Sequence, residues 1–216
     1  MQIKSLNYKE NRFIKYYINQ EQNNTLIEAL HTETEFYLKE IINKITELKI
    51  SSTIKSKLPR TEIDLNREIS SKNKEAIKKY REIIQKILTT KKIENKLKVQ
   101  PFLHISIHGM KDRKEKDIEI GTRNKILSNP EIYTWFIETT KKHFNKFKVV
   151  IDKEFKGSKI LEQHRFGDNT GHKGFGINYN IFQIEFSKTL RETHKKEIIK
   201  YLEKITKEFQ IKFIKN

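Results

Sequence analysis

"PFLHISIHGMKDRKEKDIEIGT", residues 101–122, decides how the fold is read. Its first part, "FLHISI" (102–107), is rich in β-forming apolar residues, as a strand covered on both faces of a sheet would be. The chain then breaks at Gly109 into a charged loop and recovers at "DIEIGT". Two histidines interrupt the apolar run. Strand alternation places residues 104, 106 and 108 on one face, with His104 deeper and His108 at the carboxyl end. A histidine where a buried strand turns out to solvent is placed as a ligand or catalytic group, and its partners must come from elsewhere in the chain.

Outward from this strand, strand-like and helix-like segments alternate. "TLIEAL" (25–30), "TEIDL" (61–65), "KVVI" (148–151) and "NIFQIEF" (180–186) read as strands, and "IKFI" (211–214) as an edge strand. Apolar residues recur at helical spacing in 35–48, 73–88 and 194–209. The segment 128–144 opens with Asn129 and then Pro130 at a first helical position. This alternation predicts an α/β, three-layer sandwich: a mixed, mostly parallel sheet with helices on both faces, in one domain spanning 1–216. Ligands of such sheets sit beyond the carboxyl ends of the strands. His31, His108 and Glu185 each fall at or near such an end.

Composition narrows the chemistry. The chain has 216 residues and no cysteine, so a disulfide scaffold and a Cys-ligated metal are excluded. Any metal must be held by His, Asp or Glu. No apolar run approaches the length of a membrane span. The start, "MQIKSLNYKENRF", has no apolar signal-peptide core, so a cytoplasmic location is expected. The formal net charge is +17, which favours an anionic partner. The lysines are spread along the chain, and stretches such as "KKIENKLK" (91–98) and "KKHFNKFK" (141–148) read as solvated faces. Nucleic acid is therefore the weaker expectation for that partner, and an anionic small molecule or peptide the stronger one.

Three groups carry chemistry. His31 is followed by "TETE", which brings Glu33 and Glu35 within four residues. One of these glutamates, His31 and His108 make a plausible set of two histidines and a carboxylate for a catalytic zinc. "LPRTEIDLNRE" (58–68) offers Arg60 and Arg67 as planar two-pronged donors to a carboxylate, with Asp64 to orient a guanidinium and Asn66 to add a donor. "GDNTGHKGFGINYNIFQIEF" (167–186) runs a glycine-dense loop into a strand that carries Glu185 between apolar neighbours, as an enclosed proton-transfer group would be.

"RTEIDLNR", "IHGMKDRKEKDIEIGT" and "FQIEFSKTLR", in that order, resemble the N-formylglutamate amidohydrolase family, zinc hydrolases related to zinc carboxypeptidases. The likeness spans roughly residues 25–191. It implies a zinc-dependent hydrolase that cleaves an amide bond of an acidic N-acyl amino acid or glutamyl-type peptide. His31, Glu35 and His108 match the metal ligands, with Glu33 as the other choice for the acid. Arg60, Asp64, Asn66 and Arg67 match the substrate side, and Glu185 matches the general base. Arg123 and Arg165 are further candidates for binding a substrate carboxylate. The chain departs from the family at "LHTE", where members usually carry Pro-His-Ser/Gly. A basic nucleic-acid-binding protein on a degenerate hydrolase fold is the alternative that the charge keeps open.

Overall fold

The apolar run at 102–107 is the core of an eight-residue strand, and the elements around it follow the alternation of the sequence. In the computed structural model, which describes residues 8–20, 23–90 and 100–214, the elements are β1 (Lys9–Glu10), β2 (Ile14–Tyr17), β3 (Thr25–Ala29), α1 (Leu38–Glu47), β4 (Ser52–Ser56), α2 (Lys74–Thr90), β5 (Phe102–Gly109), β6 (Ile118–Gly121), α3 (Pro130–His143), β7 (Val149–Ile151), α4 (Lys159–Phe166), β8 (Tyr179–Phe186), α5 (Lys188–Thr193) and α6 (Lys195–Phe213). The basic stretch at 91–98 lies outside the described residues. One eight-stranded sheet has the order β1-β2-β4-β3-β5-β8-β6-β7. Strands β4, β3, β5 and β8 are parallel, while β2 and β6 run antiparallel to their inner neighbours.

Both faces of the sheet are covered, as expected. Ile27, Ile105, Phe182 and Ile184 pack with Ile41 and Ile45 of α1, Phe136 of α3 and Leu202 of α6. On the other face, Leu26, Phe102 and Tyr179 pack with Ile77, Tyr80 and Ile84 of α2 and with Ile160 of α4. The second face turns polar toward the carboxyl ends of the parallel strands, where Glu28, Ser106, His108, Gln183 and Glu185 are all buried. The register fixes this row, with His108 directly opposite Glu185, and Glu185 opposite Glu119. Among the described residues, no helix is long and apolar enough to cross a membrane.

Two expectations fail for identifiable reasons. "TEIDL" (61–65) is not a strand, because the amides of Glu62 and Ile63 both return to the Pro59 carbonyl and wind the segment into turns. "IKFI" is no edge strand, since α6 continues through Phe213. The glycine-dense loop enters β8 at its amino end, opposite Glu185, where His172 and Thr170 line a separate cavity beside Arg81. Strand β4 is invisible in the apolar pattern. Its buried "STIKS" is held partly by hydroxyl pairs such as Thr46 Oγ1–Thr53 Oγ1 at 2.8 Å.

The ring of Phe136 stacks on Phe182 with centroids 3.7 Å apart, and both side chains are fully buried. Phe182→Ala leaves a cavity between α3 and β8 and is expected to cost about 3–5 kcal/mol of unfolding free energy in urea titration. A loss below about 1 kcal/mol contradicts the packing described here.

Candidate active site

His31 and Glu35 owe their approach to one turn of backbone. The chain leaves β3 and folds so that the amides of Thr34 and Glu35 both donate to the His31 carbonyl, at 3.0 and 2.9 Å. This i,i+4 spacing sets the two side chains side by side, and His31 Nδ1 lies 2.9 Å from Glu35 Oε1. His108 ends the neighbouring strand β5, and its Nδ1 reaches within 3.2 Å of His31 Nδ1. The amide of Gly109 donates to Glu35 Oε2 at 2.7 Å and steers the carboxylate toward the histidines.

The outer nitrogen of each histidine is already committed. His31 Nε2 lies 2.9 Å from Asp64 Oδ1, and His108 Nε2 lies 2.9 Å from Ser106 Oγ. Both Nδ1 atoms therefore face one point, which Glu35 shares. The ligand atoms of His31, Glu35 and His108 all lie within 4.8 Å of one another. Two imidazole nitrogens on a tetrahedral zinc with bonds of about 2.0–2.1 Å stand about 3.3 Å apart, so the observed 3.2 Å spacing suits that ion. A carboxylate behind a ligand histidine is the usual device for fixing its ring. The donor types and the histidine spacing of the residues present thus fit a zinc ion.

The electrostatics agree. Burial opposes a charge on His31, but hydrogen bonds to Asp64 and Glu35 outweigh it and raise its pKa to about 9. Burial and the charge on His31 push His108 down to about 4. Burial also works against the Asp64 carboxylate, yet its bonds to His31 and the Asn66 amide hold it well below the usual range. Without metal at neutral pH, one proton on His31 thus occupies the space among three converging ligand atoms, where a cation would sit.

Glu185 stands beside this cluster without belonging to it. It is 4% exposed, and burial, reinforced by nearby Glu35, raises its carboxyl to about 8. Gln183 Nε2 donates to Glu185 Oε1 at 2.9 Å, while Gln183 Oε1 accepts from the Ser158 amide at 3.2 Å. These residues share a cleft of about 240 Å³ with Arg60, Asn66, Arg67 and the segment Glu154–Ser158. That far wall hangs on buried Glu119, whose Oε1 accepts from the amides of Glu154 and Phe155 at 2.6 and 2.7 Å. Lys116 pairs with the same carboxylate.

The structure thus brings together His31, Glu35, His108, Glu185, Arg60, Asp64, Asn66 and Arg67. Arg60 lies 3.6 Å from Glu35 and 3.4 Å from Asp64. Arg67 Nε donates to Asp64 at 3.3 Å, and its side chain is 70% exposed. The side-chain oxygen of Asn66, Oδ1, is buried and has no hydrogen-bond partner among the described residues. Glu33 stands apart from this cluster, turned to the surface and paired with Lys39 at 3.1 Å. His104 belongs to the core, with Glu28 Oε2 at 3.1 Å on one side and the Tyr179 hydroxyl at 3.0 Å on the other.

Two expected substrate arginines lie outside the cleft. Arg165 is buried and donates to the carbonyls of Ile126 and Ile177 and to the Asn129 side chain, so it staples loops together. Arg123 pairs with Glu162 at 2.7 Å and bonds the Gly157 carbonyl from behind the wall. Sequence reasoning missed Gln183, Gly109 and Glu119. Gln183 was open to detection, since alternation in "FQIEF" puts a second polar side chain on the Glu185 face.

The sequence matches no protein-family model and no curated protein. Solved structures do match. An N-formylglutamate amidohydrolase from Ralstonia eutropha JMP134 superposes with a TM-score of 0.67 at 11% identity, over 93% of this chain and 99% of that one. A bacteriophage poly-gamma-glutamate hydrolase gives 0.52 at 11% identity, over 93% and 91%. A zinc-free form of YNDL gives 0.50 at 12%, over 92% of each chain. At these identities the likeness is one of fold, and it is the fold that the ordered motifs implied.

Asp64→Asn keeps the shape of the loop but removes the charge behind His31. Zinc affinity, read by competition with a chromophoric chelator, is expected to fall about 10–100-fold. In the metal-free variant, His31 should titrate below its wild-type value by NMR. Glu33→Gln should leave both readings unchanged. Wild-type affinity in Asp64→Asn contradicts the assignment.

Proposed function

We propose that the chain is a zinc-dependent amidohydrolase acting on an acidic, glutamyl-type substrate. The reading rests on one observation above all: two histidine Nδ1 atoms and a carboxylate converge beside a separate, buried, unligated glutamate in one cleft. Structural ion pairs do not need that fourth group. The fold shared with solved amidohydrolases supports the same reaction class.

His31, Glu35 and His108 would hold the ion. Bound there, zinc would supply Lewis acidity toward a scissile carbonyl and toward water, and its charge would favour the ionised form of Glu185. Glu185 then takes the proton of the attacking water as oxygen bonds to the carbonyl carbon. It delivers that proton to the leaving nitrogen as the C–N bond breaks. Gln183 fixes the rotamer of Glu185 through its hydrogen bond, and the buried setting keeps bulk water from competing for the proton.

Specificity falls to the loop between β4 and α2. Arg67 spends Nε on Asp64 and keeps its two terminal nitrogens for a planar anion. A second cavity of about 640 Å³ shares Arg60, Asn66, Arg67 and Ser158 with the cleft and continues to Lys72 and Lys159. That continuation, which Glu62 and Glu68 also line, suits a substrate that extends beyond a single amino acid.

Glu185→Gln separates chemistry from binding. The variant should fold, retain about one zinc per chain and bind substrate, while kcat falls roughly 10²–10⁴-fold and KM changes little. Screening γ-linked glutamate peptides, N-acyl glutamates and neutral dipeptides identifies the substrate for the assay. Lost zinc in the variant makes Glu185 a ligand. Unchanged turnover removes it from the mechanism.

A further inference from the structure

Arg191 lies outside the cleft, and none of the chemistry above uses it. It is 4% exposed, on the short helix α5 that follows β8. All three kinds of nitrogen in its guanidinium are spent on backbone carbonyls. Nε donates to Phe186 O at 3.1 Å, Nη2 to Met110 O at 3.1 Å and Nη1 to Phe36 O. The chain positions of these acceptors carry the argument. Phe186 follows Glu185, Phe36 follows Glu35, and Met110 lies two residues after His108. One planar cation is therefore hydrogen-bonded to the main chain of three separate segments, each next to a different site residue.

A second observation is independent of those bonds. Gly109 stands between His108 and Met110, and the guanidinium lies flat against it. A Cβ at position 109 would come within 2.4 Å of Arg191 Cζ and 2.7 Å of Nη1. The glycine makes room for the arginine and also donates its amide to Glu35 at 2.7 Å. The seat of α5 is fixed as well, because Asp112 accepts from the Thr189 amide and hydroxyl at 2.8 and 2.9 Å. Arg191 is thus held from its own side while it holds the other three segments.

We propose that Arg191 is the positioning residue of the site, setting the mutual spacing of Glu35, His108 and Glu185 through their backbones. This rests on the zinc reading above and extends it to a residue that touches neither metal nor substrate. A lysine cannot replace the arginine, because one ammonium on a flexible stem cannot span three carbonyls in a plane.

The test compares wild type with Arg191→Lys, Arg191→Ala and Gly109→Ala. The readings are melting temperature, zinc affinity by chelator competition, the visible spectrum of the cobalt-loaded protein, and kcat and KM. In folded Arg191→Lys and Gly109→Ala, zinc affinity should fall tenfold or more, the range seen when groups behind metal ligands are lost. The cobalt bands should shift, and kcat should fall more than KM rises. If Arg191→Ala does not fold, the other two variants carry the test, and Gly109→Ala does so without removing a charge. Wild-type zinc affinity and an unchanged cobalt spectrum in those two variants overturn the proposal, even if the melting temperature drops, because the role is then structural alone. A wild-type chain that takes up no zinc overturns the metal reading itself, and this inference with it.

Discussion

The site depends on the 3.2 Å approach of two imidazole nitrogens, His31 Nδ1 and His108 Nδ1. Neutral histidines gain little by meeting in this way, and two charged ones would repel. The approach holds because each ring is anchored at its far nitrogen, by Asp64 and by Ser106, and because Glu35 lies against the pair. A proton satisfies the arrangement in the metal-free chain, and on the proposed function a divalent cation would take its place, since it can accept all three donors at once. The parallel pairing of β3 with β5 supplies the geometry. It brings the carboxyl ends of two neighbouring strands together at the rim where such sheets bind ligands.

Everything else in the cleft is arranged around that point by backbone contacts. The β5–β8 register sets Glu185 opposite His108, so the buried acid stands beside the cluster but on its own strand. Glu119, one strand further, spends its charge on Lys116 and on the amides of the Glu154–Ser158 wall. The loop at 58–73 closes the opposite side. Asn73 ties it together, donating to the carbonyls of Asp64 and Glu68 at 3.2 and 3.1 Å. Neighbouring carboxylates therefore play different parts. Glu35 and Asp64 are held as charges by hydrogen bonds to His31, Glu119 pairs with Lys116, and Glu185 has a raised pKa.

Much of this was legible in the sequence where hydrophobic period and polar interruption coincide. "FLHISIH" and "FQIEF" announce buried strands with polar groups toward their ends, and the structure builds both strands as read. The helical stripes of α1, α2 and α6 were equally plain, and Asn129 with Pro130 marked the start of α3. Strand β4 was not plain, because its buried polar side chains, Thr53 bonded to Thr46 of α1 among them, leave no apolar alternation to detect. The choice between Glu33 and Glu35 was also closed to sequence reasoning, since it turns on whether the chain after His31 makes one turn before α1 begins. Arg123, Arg165 and Arg191 look alike in sequence. Only their hydrogen bonds separate two loop staples from the residue that grips the segments around the site.

X-ray absorption at the zinc edge of the zinc-loaded chain tests the central claim most directly. Two imidazole ligands at about 2.0–2.1 Å, with the remaining coordination from oxygen, are the pattern expected of His31, His108 and Glu35. A chain that retains no zinc after dialysis, or a spectrum with oxygen ligands and no imidazole, would contradict the account.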